Sequence, residues 1–230
     1  MLIIIDNRIS SQAKKKLSSF GDLMELKTDG ITYEAISGHP DIFFCQSPGK
    51  LFVAPNFPQH YFDQLNQHHI DFIKGELPVG PEYPSSAHYN AVATSTYLIH
   101  NFRHTDFTIT RTLDDLQPVH VDQGYCRCNL LPLKDDHFIT SDMGIYKVLK
   151  GLHLFIHYID PDGILLEGFP HGFFGGCCGV WKDKVFINGS LKAFHEGEKV
   201  RKLLEDLSYE IVELTERALM DVGSILFIDI

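Results

Sequence analysis

Five times along the chain a short apolar strand is followed by a polar turn, a helical apolar stripe and a second strand. The copies open at Leu2 ("LIIIDNRISS"), Leu51 ("LFVAPNFPQH"), Tyr97 ("YLIHNFRHTD"), Phe138 ("FITSDMGIYK") and Val185 ("VFINGSLKAF"), so they recur every 41–49 residues. A period in this range marks a repeat architecture, because one such unit cannot bury its apolar face alone. Each opening strand runs into a helix-start signal: Asn7, Asn56, Asn101, Asp142 or Asn188. Side chains of this kind accept hydrogen bonds from the free amides of a first helical turn.

The helical stripes are explicit. Ala13, Leu17 and Phe20 sit at i, i+4, i+7, as do Ile109, Leu113 and Leu116. Ile145, Val148, Leu149 and Leu152 form a fuller stripe, and so do Val200, Leu203, Leu204 and Leu207. Tyr61, Phe62 and Leu65 make a shorter one. Such spacing puts apolar groups on one helix face. The closing strands read "LMELK", "DFIKG", "PVHVD", "LFIHYI" and "YEIVEL".

Four copies carry a further strand in front: "DIFFCQ", "NAVAT", "CRCNLLPL" and "GGCCGVW". The polar turns "SPGK", "KDDH" and "KDK" signal hairpins between this strand and the next. The first copy lacks a preceding strand, and the chain ends on an unmatched one, "DVGSILFIDI". Pairing that strand beside Leu2–Ile5 completes five ββαβ units in a closed ring over residues 1–230, a single domain of α+β class. A doubly wound sheet is the competing arrangement. It would want a glycine-rich phosphate loop after the first strand, and "IIIDNRIS" has none.

Composition narrows the function. Hydrophobic residues make up 44% and charged residues 22%, an ordinary globular balance. The net charge of −10 argues against nucleic acid or a membrane surface as partner, and suits a small cationic substrate. The first strand lacks a basic start and is cut by Asp6 and Arg8, so it does not read as a signal peptide. Five cysteines with no export signal imply reduced thiols and a cytoplasmic setting.

The stretch "HVDQGYCRCN" at residues 120–129 concentrates the polar chemistry. His120 and Asp122 are two apart, so on a strand they share a face. A carboxylate pairs with a guanidinium through parallel hydrogen bonds, and a histidine beside it can move protons near neutral pH. A histidine on a strand can equally be a structural residue.

A ring of five ββαβ units with "VHVDQ" leading into its fourth unit resembles the pentein fold, the α/β propeller of the guanidino-group modifying enzymes. The resemblance is to a diverged bacterial branch of that superfamily and covers nearly the whole chain. It implies a central channel that binds a small polar or guanidino-bearing molecule, with hydrolase or amidinotransferase chemistry and no organic cofactor. It implies His120 as proton shuttle and Asp122 as substrate anchor. Those enzymes use a cysteine near the C-terminal strand, where this chain has Ser224. They carry an acidic segment at the start of the third unit, where "HYNAVAT" offers Asn90. Near "FFCQSPGK" an expected acid is replaced by Gln46 and Ser47.

The departures leave a non-catalytic binding or scaffolding pentein as the second reading. A channel filled by Phe43, Phe173 or Phe174 would favour it. The cysteines have three readings: small buried apolar residues, a displaced nucleophile (Cys128 or Cys178) beside His120, or a zinc site that also draws on Cys126 and Cys177. The last suffers because CxC with CC is not the CxxC spacing of common structural sites. His39 and Asp41 in "GHPDIFF" read as channel-mouth residues at the start of an inner strand, or as a turn with a capping carboxylate. The glycine-rich "EGFPHGFFGGCCG" reads as a loop over the channel carrying His171, or as glycines relieving crowding at the ring centre.

Overall fold

The computed structural model describes residues 1–229. Among them fifteen strands form five three-stranded sheets of one design. The first copy contributes β1 (Leu2–Asp6), α1 (Ser11–Leu17) and β2 (Asp22–Leu26). The second has a helical turn α2 (Pro40–Phe43), then β3 (Phe44–Ser47), β4 (Lys50–Val53), α3 (Gln59–Gln67) and β5 (Ile73–Lys74). The third has β6 (Val92–Ala93), β7 (Tyr97–His100), α4 (Phe107–Thr112) and β8 (Gln117–His120). The fourth has α5 (Cys126–Asn129), β9 (Leu130–Pro132), β10 (His137–Thr140), α6 (Met143–Gly151) and β11 (Phe155–Tyr158). The fifth has β12 (Cys178–Trp181), β13 (Lys184–Ile187), α7 (Gly197–Asp206) and β14 (Glu210–Glu213), and β15 (Leu226–Ile228) follows.

In four sheets the middle strand runs antiparallel to the strand before it and parallel to the strand after its helix. A tight turn suffices for the first pairing, while the parallel one needs the helical crossover. The last strand closes the first sheet: Leu2, Ile3 and Ile4 pair antiparallel with Ile228, Phe227 and Leu226. Neighbouring units touch through their inner strands. The Gln46 amide donates to Phe227 O at 2.8 Å, and Cys45 Sγ lies 3.8 Å from Ala91 O.

The apolar stripes face inward as the spacing predicts. Ala13, Leu17, Tyr61, Phe62, Leu65, Ile109, Ile145, Leu149, Val200 and Leu204 are buried. Val148 and Leu152, at the edge of their stripe, are exposed.

Two local expectations need correction. Of the five anticipated helix caps only Asp142 caps, its Oδ1 accepting from Ile145 N at 2.8 Å. The helices begin several residues beyond the asparagines, under Ser10 and Asp106 in α1 and α4. Three asparagines instead pin the end of a middle strand to a distant backbone: Asn56 to Val79, Asn101 to Asp122 O and Asn188 to Met220 O.

The second correction concerns the inner strands. His39 and Asp41 are not on a strand, and neither are Cys126 and Cys128. His39 is the residue before α2, Asp41 lies within it, and both cysteines lie in α5. Residues 39–45 are buried without interruption. A strand with one solvated face cannot bury seven consecutive residues, whereas a helical turn spreads them over all directions. The inner strand then starts only at Phe44, Leu130 and Cys178.

Ile4 is fully buried at the strand that closes the ring. Ile4→Ala is expected to cost roughly 2–5 kcal/mol, read as a lowered urea midpoint with an unchanged slope.

Candidate functional site

The chain enters four of the five inner strands from turns that meet at one end of the ring, and their polar side chains form a buried cluster. Asp41, Asn90 and Ser224 are fully buried and Cys128 nearly so. Asn90 ties three units together. Its Oδ1 accepts from the backbone amides of Arg127 at 2.7 Å and Cys128 at 3.2 Å. Its Nδ2 donates to Asp41 O at 3.0 Å and lies 3.3 Å from Cys128 Sγ. The Cys128 thiol in turn donates to Asp41 Oδ2 at 3.0 Å, and the Ser224 hydroxyl reaches the same oxygen at 2.7 Å. Among the described residues Asp41 Oδ1 has no partner.

His39 stands beside this cluster between two buried carboxylates. Its Nε2 is 3.9 Å from Asp6 Oδ2 and its Nδ1 4.0 Å from Asp221 Oδ1, and Nδ1 makes no hydrogen bond. Asp221 accepts from Gly223 N at 3.0 Å and Phe173 N at 2.9 Å. Burial pushes its carboxyl up to about 6, with His39 opposing and Asp41 adding to the rise. Two glycines make the packing possible. A Cβ on Gly223, at φ +65°, would lie 2.1 Å from His39 Cβ, and one on Gly176 would lie 2.0 Å from Asp221 Oδ1. Asp6 holds Arg8, whose Nε donates to Oδ1 at 2.9 Å and whose remaining nitrogens reach Glu34 O and Ala35 O. A cavity of about 250 Å³ opens here, lined by Asp6, Arg8, His39, Glu167 and Asp221 among others.

The "EGFPHGFF" loop covers this end. Leu165 exchanges backbone bonds with Leu219 and Asp221, and Phe169 packs against Tyr33 at 5.9 Å. His171 bonds only the carbonyl of its neighbour Gly172. Phe43 and Phe174 are fully buried in the packed core, and Phe173 is half-buried.

His120 and Asp122 do share a face, but an exposed one. His120 Nδ1 accepts from Phe102 N at 3.3 Å, and its Nε2 is 3.7 Å from Asp122 Oδ1. The Asp122 side chain is 88% exposed and also lies 3.6 Å from Arg103. Among the described residues no hydrogen bond joins His120 to a cysteine. His100, one strand inward, is a buried structural residue. Its Nε2 donates to Gly124 O and its Nδ1 meets the Thr105 hydroxyl, each at 2.7 Å. Burial brings it down to about 4, so it stays neutral and fixes the loop entering α5.

All five cysteines are free and buried. Burial pushes every thiol upward: Cys45 to about 12, with Cys126, Cys128, Cys177 and Cys178 also raised. For Cys128 the neighbouring Asp41 and Asp221 charges add to the rise. Cys178 sits beside Arg127, whose Nη2 donates to its carbonyl at 3.3 Å. Among the described residues no group of three His, Cys, Asp or Glu side chains is placed to hold a metal ion, and no helix is long and apolar enough to cross a membrane.

So Asp41, Asn90 and Cys128 come together, with His39 against them. Cys178 opens β12 and meets the cluster only through Arg127, and His120 with Asp122 stands apart. Asp6 and Asp221 had been overlooked in the sequence. The signal for Asp221 was the "DVG" turn before the last strand, an Asp accepting from the amide two residues on.

The thiol environment has a direct consequence. In the folded protein at about pH 7.5 all five cysteines should alkylate with iodoacetamide far more slowly than a free thiol, and at the free rate once unfolded. Mass spectrometry of the labelled peptides checks this. One cysteine reacting at or above the free rate would mean that its burial is overcome in solution.

A family model described as a family of unknown function, DUF6873, matches residues 4–226. No curated protein is matched. Among solved structures, DDAH from Pseudomonas aeruginosa complexed with citrulline is similar with a TM-score of 0.57 and 10% identity, over 92% of this chain and 91% of that one. An amidinotransferase from Microseira wollei gives 0.55 and 12% identity, over 92% and 87%. Agmatine deiminase from C. jejuni gives 0.54 and 8% identity, over 93% and 87%. At such identities the likeness is one of fold: the five ββαβ units form the pentein ring of the guanidino-group modifying enzymes.

Proposed function

The chain belongs to the family of unknown function DUF6873, and from that premise we propose that it binds a small guanidino-bearing cation at the turn-lined end of its ring. The observation that carries this reading is Asp41. It is a fully buried carboxylate with one oxygen unpartnered, next to a second buried carboxylate, Asp221. A buried acceptor left unpaired costs roughly 1–3 kcal/mol, more for a charged group. A guanidinium supplies the planar fork that repays it. The cavity beside His39 presents Asp6, Asp221 and Glu167, and Arg8 already shows how a guanidinium is seated there, on Asp6 and two carbonyls. The solved structures of like fold include an amidinotransferase and an agmatine deiminase, named for amidino and guanidino chemistry, and a complex with citrulline, the neutral ureido counterpart of a guanidinium.

Two versions follow. In the catalytic one, Cys128 is the nucleophile: Asp41 takes its proton as the thiol adds to the guanidinium carbon and the C=N π pair moves to nitrogen, the proton then passes to one nitrogen, its C–N bond breaks to release an amine, and water hydrolyses the S-bound carbon to regenerate the thiol. Asn90 fixes the sulfur, and the cation's own charge pulls the thiol downward. Cys178 is the alternative thiol, and His120 with Asp122 would move protons at the rim. In the other version the site binds without reaction. The raised thiols and the exposed setting of His120 favour binding alone.

Calorimetric titration with methylguanidine tests the shared claim. Saturable binding is expected, reduced at least about 10-fold in Asp41→Asn if the carboxylate forms a charge-assisted pair. Binding should strengthen as pH rises through Asp221's value of about 6. A cation favours the ionised carboxyl, so below that value affinity should fall by up to about tenfold per unit. Above it the affinity should be flat. No binding by wild-type protein at about pH 7.5, or undiminished binding by folded Asp41→Asn, would sink the proposal.

A further inference from the structure

The opposite end of the axis holds a second cavity, of about 420 Å³. Every inner strand contributes to it: Ser47, Ala93, Pro132, Val180 and Leu226 come one from each unit. It is therefore the hairpin-side mouth of the central channel, away from Asp41. Its volume falls within the range of small-molecule pockets.

Arg127 also lines it, and its guanidinium is incompletely matched. Nη1 donates to Gly175 O at 3.0 Å and Nη2 to Cys178 O at 3.3 Å. A guanidinium has five N–H donors, so these two carbonyls leave others free. No carboxylate lies within ion-pair distance of Arg127 among the described residues. Desolvation lowers its pKa, and the Asp41 and Asp221 charges, neither within ion-pair distance, oppose this only in part. The second observation is independent. Ser47, 5% exposed, has a buried hydroxyl with no hydrogen-bond partner among the described residues.

We propose that this mouth binds a small organic carboxylate, its oxygens on the Arg127 fork and the Ser47 hydroxyl. A single positive charge among Phe44, Val180 and Leu226 suits a monoanion with an apolar body better than a polyphosphate. The one acid on the lining, Asp229, accepts from Trp181 Nε1 at 3.0 Å. The site is distinct from the cation site at the other end and does not depend on it.

Benzoate and inorganic phosphate are the probes, titrated into the full chain by calorimetry. Wild-type protein should bind benzoate saturably and more tightly than phosphate. Arg127→Met should lose at least about 10-fold, the loss expected for a charge-assisted pair. Ser47→Ala should lose roughly 3-fold, for one hydrogen bond. Ala93→Phe fills the mouth while leaving Arg127 in place, and a folded variant should lose benzoate binding. This keeps the test decisive if Arg127→Met fails to fold. Absence of saturable benzoate binding by wild-type protein would overturn the proposal, as would binding that survives Ala93→Phe or a site that takes phosphate in preference.

Discussion

Three backbone pairs between the two ends of the chain hold the rest of the architecture together. Leu2, Ile3 and Ile4 take Ile228, Phe227 and Leu226 as antiparallel partners, and this converts four consecutive units into a closed ring of five. Closure removes the exposed edge an open array would leave. It also builds the candidate site. Asp6 ends the first strand, while Asp221 and Ser224 immediately precede the last one. Without the pairing, Ser224 would not meet Asp41 across 183 residues of sequence. Closure assembles the site, so loss of the closing pairs predicts loss of the site.

Crowding at the ring centre accounts for the short helical turns. Where strands converge, residues have no solvated side, and alternation stops being a solution. The turn at Pro40–Phe43 buries every successive side chain, that at Cys126–Asn129 buries all but Arg127, and both still leave a regular strand behind them. Asn90 then does in side-chain chemistry what a sheet ladder would do in backbone. It accepts from two amides of the fourth unit and donates to the carbonyl of the second. An acid at this position would lack the donor that Asn90 offers to Asp41 O, and it would stand beside a carboxylate already deprived of one partner.

The repeat was legible because it rests on local periodicity: strand, stripe and strand recur in the sequence before any tertiary contact exists. The order of strands and the ring closure followed from it. The asparagines were misread because one residue type serves two purposes. A polar residue after a strand can cap a helix or staple a loop, and the choice depends on the distant backbone of Val79, Asp122 or Met220. His39, Asp41 and Cys128 were legible as polar outliers, although their turn geometry was not. Asp6 and Asp221 escaped notice because their company is assembled only by closure. His120 and Asp122 show the converse: period-two spacing gave them a common face, and nothing local could say that the face is solvated.

The two ends of the axis differ in their charged groups, and one helical turn sets the difference. Asp6, Asp41 and Asp221 gather where the chain enters the inner strands, while Arg127 is the one cation bordering the hairpin-side cavity. Arg127 and Cys128 are neighbours in α5, and successive residues on a helical turn point about 100° apart. The Cys128 thiol therefore reaches Asp41, while the Arg127 side chain leaves toward Gly175 and Cys178. On an extended strand the two would have been separated onto opposite faces of a sheet, with only one of them on the axis. The turn keeps both at the centre and aims them differently. In a chain of net charge −10, this placement sets one guanidinium toward the hairpin side, where Asp229 also lies, and leaves the buried carboxylates at the other end. Its backbone amide is held by Asn90, which also contacts Cys128 and Asp41.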